Sequence, residues 1–191
     1  MYTVNARRFQ VLPAGVEGAL RRVGYGLIGV GVGLVWKPRP IIVLSHMRAG
    51  SSLLTRILGS HPEILGFGEL HLSYRGRWDF MAARGKLAWT ERVATSSTPY
   101  SLDKLLHGWL LRQDDVDLLL REDAKVIFLV REPEPTIRSL VGSFGHSVPH
   151  ASSYYAERLE QLTSMGSALG GLSDRPLLLR YTDLIDRTEL S

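Results

Sequence analysis

The chain contains no cysteine. That excludes a disulfide scaffold, a zinc-thiolate or iron–sulfur site and a cysteine nucleophile. It permits a reducing compartment, and the cytoplasm is where we expect the protein. A run long enough to cross a bilayer is also missing. The apolar stretch from Val23 to Trp36 has 14 residues, against the roughly 20 a spanning helix needs. It lacks a small-residue cleavage site and runs straight into "KPRP", so it does not read as a signal peptide. No repeat or low-complexity tract is visible, and no metal-ligand cluster, so no metal is expected. Basic and aromatic residues do not interleave in the way that stacks bases, which argues against nucleic acid.

What remains is an ordinary globular composition. The 191 residues are 45% hydrophobic and 22% charged, enough for one domain with a core. The net charge of +4 suits anionic partners such as nucleotides, sulfated or acidic substrates and membrane surfaces. Residues 1 to 40 read as a basic, Gly-rich N-terminal extension carrying Arg7, Arg8, Arg21 and Arg22. Gly24, Gly26, Gly29, Gly31 and Gly33 are each costly inside a helix. The expectation is a packing or surface segment, with peripheral membrane contact through residues 23 to 36 as the alternative. Pro38 to Pro40 read as a linker.

From Ile41 onward, short apolar runs alternate with helical patterns. Ile41 to His46 is a buried strand, and Leu53, Leu54, Ile57 and Leu58 repeat at helical spacing before Gly59 and Pro62 stop the helix. "EILGFGE" suggests a short strand ending at Glu69. Residues 70 to 98 are irregular, fitting helices or a mobile segment. Tyr100 to His107 reads as a strand or the start of a helix, and periodicity does not decide. "DDVDLLLRED" is a helix, Lys125 to Arg131 the clearest strand, and "EPEPTIRSLVGSFG" a helix with Pro133 and Pro135 in its first turn. Residues 152 to 169 read as another helix, Arg175 to Tyr181 as a last strand, and "TDLIDRTEL" as a final helix with Thr182 as a possible N-cap. The pattern is an α/β domain with a parallel sheet flanked by helices in three layers. Ligands of such sheets bind beyond the carboxyl ends of the strands.

"SHMRAGSSLL" occupies that place after the first strand. A strand, a Gly- and Ser-containing turn and a helix N-terminus aim backbone amides at a phosphate-like group. Gly50 lets a ligand approach, Ser51 and Ser52 offer hydroxyls, and Arg48 adds a fixed charge. The Walker A pattern is absent, which leaves a P-loop kinase as a weak reading.

"SHMRAGSSLLTRILGSHPEILGFGE" resembles the 5′-phosphosulfate loop of sulfotransferases that use 3′-phosphoadenosine 5′-phosphosulfate (PAPS). Arg48, Gly50, Ser51, Ser52 and Leu53 match that loop, while Met47 replaces its usual proline and Ala49 its first serine. Ala49 keeps the backbone amide. "KVIFLVREPEPTIRSLVGSFG" resembles the family's 3′-phosphate motif, an Arg ending a strand and a Ser eight residues on, here Arg131 and Ser139. "LLLRYTDL" is similar to a third family segment, with Thr182 in place of Glu, and is read as supporting the fold.

The resemblance covers roughly residues 40 to 186 and implies a P-loop NTPase-like sulfotransferase fold over 41 to 191. Family members usually continue further, so a natural minimal form or a C-terminally truncated one is expected. It implies PAPS as sulfuryl donor, 3′,5′-ADP as product, and a hydroxyl or amine acceptor, whether carbohydrate, peptide tyrosine, lipid or small molecule. It also implies roles. Glu69, eight residues after His61, matches the base of the tyrosylprotein branch, with His71 and His46 as rivals. Lys104 matches a lysine that stabilises the leaving oxygen or the sulfuryl group, and Arg48 serves binding and catalysis together. The alternative is a non-catalytic remnant of that fold that binds a 3′-phosphonucleotide or a membrane.

Overall fold

The computed structural model describes residues 14–66, 68–72, 74–90, 98–106 and 113–186. Five parallel strands form one sheet: β1 (Arg39–Ser45), β2 (Ile64–Leu65), β3 (Tyr100–Leu105), β4 (Lys125–Val130) and β5 (Leu177–Arg180), in the order β2-β3-β1-β4-β5. The helices are α1 (Ala14–Val32), α2 (Ser51–Gly59), α3 (Arg77–Thr90), α4 (Gln113–Arg121), α5 (Pro133–Phe144), α6 (Val148–Ala168) and α7 (Tyr181–Asp186). The ambiguous Tyr100 stretch is therefore a strand, and residues 77–90 of the irregular region are helical.

Side chains alternate across the sheet, as the pleat requires. Ile42, Leu44, Val126 and Phe128 face a core shared with Phe80 and Leu87 of α3, Leu118 of α4 and Leu162 and Met165 of α6. Ile41, Val43, Ile127 and Leu129 face a smaller core with Leu54 of α2 and Leu184 of α7. This is the three-layer α/β arrangement that the alternating runs predict. β5 departs from the expected burial: as an edge strand it leaves Leu177 and Leu178 more than half exposed.

Three local readings change. β2 ends at Leu65 rather than at Glu69, which lies four residues past the strand. Pro40 belongs to β1 rather than to a linker, because it sits at the strand's start, opposite Ser101, and Arg39 anchors that start to Asp123 and Asp174. Thr182 is inside α7 instead of capping it; Asp183 accepts the Arg180 N–H there at 2.9 Å.

The glycine-rich run is a helix, contrary to what glycine propensity suggests. A Cβ at Gly29 would strike the Met81 carbonyl oxygen, and one at Gly85 would strike the Tyr25 carbonyl oxygen. Glycine is what lets α1 and α3 come together backbone to backbone, and that contact outweighs the intrinsic penalty. Gly24 has no such role, with nothing within 4 Å of its Cβ position. Gly85→Val is therefore expected to cost about 1–3 kcal/mol of stability, while Gly24→Ala should add up to about 1 kcal/mol. Urea unfolding of both variants checks the contrast.

Candidate functional site

β1 lies between β3 and β4. The chain leaves β1 toward β2 and leaves β4 toward β5, so the loops after β1 and β4 diverge and open a crevice at the carboxyl edge. A cavity of about 550 Å³ occupies that place. Its polar wall is Arg48, Ser51, Ser52, Glu69 and Arg131, with Gly50 at its floor.

The loop after β1 is built for a close turn. Gly50 caps α2 with φ 91°, in the left-handed region. Arg48 holds φ 65° without being glycine, a conformation that costs about 1–2 kcal/mol. Arg48 and Gly50, one residue apart, together bend the loop sharply into the first turn of α2. Ser51 and Ser52 are the first two helical residues, whose amides have no preceding carbonyl to bond. The Leu53 N–H is already donated to Gly50 at 2.9 Å, and its side chain points largely to solvent. Ala49 packs its methyl in the smaller core, which explains an alanine there.

Arg48 is where the two motifs meet. Its Nε donates to Ser139 Oγ at 2.7 Å, and its carbonyl accepts from the Arg131 guanidinium at 3.2 Å. The eight-residue separation thus does bring Ser139, on α5, back over the loop after β1. Arg131 stacks on the Tyr181 ring at 4.2 Å, and its buried Nε has no hydrogen-bond partner among the described residues. That Nε is closed to solvent, so it is through the rest of its guanidinium that Arg131, on the cavity wall, can meet an anionic oxygen.

Asp103 and Lys104 are adjacent on β3 and so face opposite sides. Lys104, buried, sends Nζ to Ser52 Oγ on α2 at 3.0 Å, behind the cavity wall. Asp103 holds the segment that carries Glu69. It accepts from the Leu70 N–H at 2.8 Å and from Tyr74 Oη at 2.7 Å. Glu69 lies on the cavity wall with His71 Nδ1 3.6 Å from its carboxylate. His71 is itself exposed, and His46 is fully buried with both ring nitrogens engaged, to the Met47 carbonyl and the Arg131 N–H. Among the three rivals, Glu69 alone lines the cavity.

Sequence reasoning missed Asp103, Tyr181 and Phe144. Asp103 gives little signal, because "YSLDKL" also carries Ser101 and Lys104 and its periodicity does not settle it as a strand. Tyr181 directly follows β5, the same relation to its strand that Arg131 has to β4. Nothing in the sequence marks Phe144, whose ring reaches the cavity because α5 ends beside Arg48, 6.0 Å away.

Burial pushes the Asp103 carboxyl up to about 6 from 3.8, against the hydrogen bonds it accepts from Tyr74, Leu70 and Lys104. The folded protein therefore holds a proton there that the unfolded chain has lost. Stability from this group is complete below 3.8 and falls as pH rises toward 6. Relative to Asp103→Asn, the wild type should lose up to about 3 kcal/mol between pH 4 and pH 7. Urea unfolding of the pair at several pH values checks this, and parallel profiles would refute it. No protein-family model matches this chain, and no curated protein does.

Proposed function

We propose that the protein is a sulfotransferase that moves a sulfuryl group from PAPS to a hydroxyl or amine acceptor. What supports the reading is the meeting of Arg48 and Arg131 at one cavity, from two loops far apart in sequence, with Ser139 of α5 bonded to Arg48 behind them. The Arg131 guanidinium on the cavity wall and the Ser139 hydroxyl that Arg48 holds suit a terminal phosphate monoester. The left-handed Gly50 turn, the first amides of α2 and the Ser51 and Ser52 hydroxyls suit the oxygens of a second anionic group. A nucleotide phosphorylated at both ends of its ribose would set one anionic group against Arg131 and the other against the first turn of α2.

The donor supplies an activated sulfuryl group. The chain's own residues then have separable tasks. Glu69, the carboxylate on the cavity wall, takes the proton from the acceptor. Arg48 is held by Ser139, so its charge is oriented before any ligand arrives. Lys104 presses its ammonium against Ser52 and keeps that hydroxyl aimed, adding positive charge behind the first turn of α2. Met47, Leu106 and Phe144 line the apolar part of the cavity and limit water there.

Calorimetry with 3′,5′-ADP and transfer from labelled PAPS into a panel of alcohols, sugars and tyrosine peptides test the reading together. Wild type should bind 3′,5′-ADP. Arg131→Ala should weaken that binding roughly 10- to 100-fold. Glu69→Gln should bind normally and turn over about 10²- to 10⁴-fold more slowly. Absence of 3′,5′-ADP binding by the wild type overturns the proposal. Binding without transfer to any acceptor would leave a nucleotide-binding module.

A further inference from the structure

One face of α1 is closed by α3, through Gly26, Gly29 and Tyr25. The opposite face is apolar and open. Leu20, Val23, Leu27, Val30 and Leu34, at spacings of three and four, are each between 46 and 81% exposed, and Val35 extends the patch. Gly24 and Gly31 fill the gaps, so no charged residue interrupts this stripe from Leu20 to Val35. A helix apolar on all sides is normally covered on all sides. The stripe spans roughly a third of the circumference, and an aliphatic surface of this size on a protein marks an interaction site.

The charge around it selects the occupant. Residues 1 to 40 hold six basic residues and one acid, a net +5, while the other 151 hold 17 basic residues and 18 acids, a net −1. The chain's positive balance is thus confined to the segment that carries the stripe. Arg22 and Arg39 are turned to Asp79, Asp123 and Asp174. Arg21 and Lys37 lie exposed toward the two ends of the stripe, and Arg7 and Arg8 precede it in sequence. A second copy would bring like charges to the rims of the contact in either orientation. An anionic bilayer offers both an apolar interior and negative headgroups. No described helix is long and apolar enough to cross a membrane, so the geometry is that of a helix lying in the interface.

We propose that the outer face of α1 and the turn that follows it, from Leu20 to Val35, seat the protein on the surface of a membrane containing anionic lipid. This does not depend on the sulfotransferase reading. The test is sedimentation of the full chain with vesicles of phosphatidylcholine holding about 30% phosphatidylserine, beside pure phosphatidylcholine. The wild type should pellet with the anionic vesicles, less at about 0.5 M salt. Leu27→Asp/Val30→Asp should lower that binding about tenfold or more with an unchanged thermal melt. The milder Leu27→Gln serves the same comparison if the double variant does not fold. Failure of the wild type to pellet, equal pelleting of the variants, or a wild-type dimer that the variants split without any lipid binding would each overturn the proposal. The last result would assign the face to a second copy.

Discussion

Arg131 donates its backbone N–H to His46 Nε2 at 3.1 Å, and the carboxyl edge of the sheet is arranged around that hydrogen bond. His46 is the first residue past β1 and Arg131 the first past β4, so one imidazole ties together the strand ends that bear the two loops lining the cavity. Its Nδ1 faces the Met47 carbonyl at 2.9 Å, which makes Nδ1 the donor and leaves Nε2 as the acceptor that Arg131 needs. Burial lowers the pKa of His46, so this neutral tautomer persists in the fold. The unfolded chain takes up the proton more readily. The stabilisation is therefore complete above the ordinary value of 6.5 and is lost as pH falls through the lowered folded value. A protonated ring would set two donors against each other at the joint. Helix α6 supports the same point: Tyr155 Oη donates to the Arg131 carbonyl at 2.7 Å, Tyr154 Oη accepts the Met47 N–H at 2.9 Å, and Arg158 Nε donates to the Ser45 carbonyl at 3.3 Å.

That joint explains why the loop after β1 can keep a strained shape. Arg48 sits at φ 65° and is held from two sides, by Ser139 on its side chain and by Arg131 on its carbonyl, while His46 fixes Met47 just before it. Each bond is modest, about 0.5–1.5 kcal/mol net, but together they offset a left-handed backbone of comparable cost. Gly50 is more constrained still. A Cβ there would be strained at φ 91° and would also meet the Tyr181 ring that stacks on Arg131. The consequence is a cavity whose cationic groups are oriented by the protein alone, the condition under which fixed charge is most useful to a developing anion.

Much of this was legible in the sequence, for a physical reason. Apolar strands buried on both faces announce themselves by composition, and a parallel sheet then dictates where polar residues must gather. Arg48, Ser51, Ser52 and Arg131 could be read because each follows a strand or opens a helix, and Ser139 from its eight-residue separation from Arg131. What could not be read depends on contacts between distant segments. Gly29 of α1 looks like a helix breaker until the Met81 carbonyl of α3 is seen against it. Asp103 looks like one polar position in a strand until Leu70 and Tyr74 are seen to hang from it. Lys104 and Ser139 were placed near the right loop, yet both act on it through Ser52 and Arg48 rather than from the cavity wall.

The same distant contacts join α1 to the chemistry. Arg22 on α1 pairs with the buried Asp79 on α3, whose carboxylate also accepts the Arg75 N–H at 2.7 Å. Further along α3, Lys86 Nζ donates to the Leu70 carbonyl at 2.8 Å, and Leu70 in turn donates to Asp103. Glu69 is the residue beside Leu70. The carboxylate on the cavity wall is thus positioned from both sides, by β3 through Asp103 and by α3 through Lys86. α1 holds α3 only with its glycine face, and its aliphatic face takes no part in that chain of contacts. A binding event on the aliphatic face can therefore fix where the protein sits without disturbing how Glu69 is held, whereas a change on the glycine face, at Gly29 or at Gly85 across from it, reaches the site.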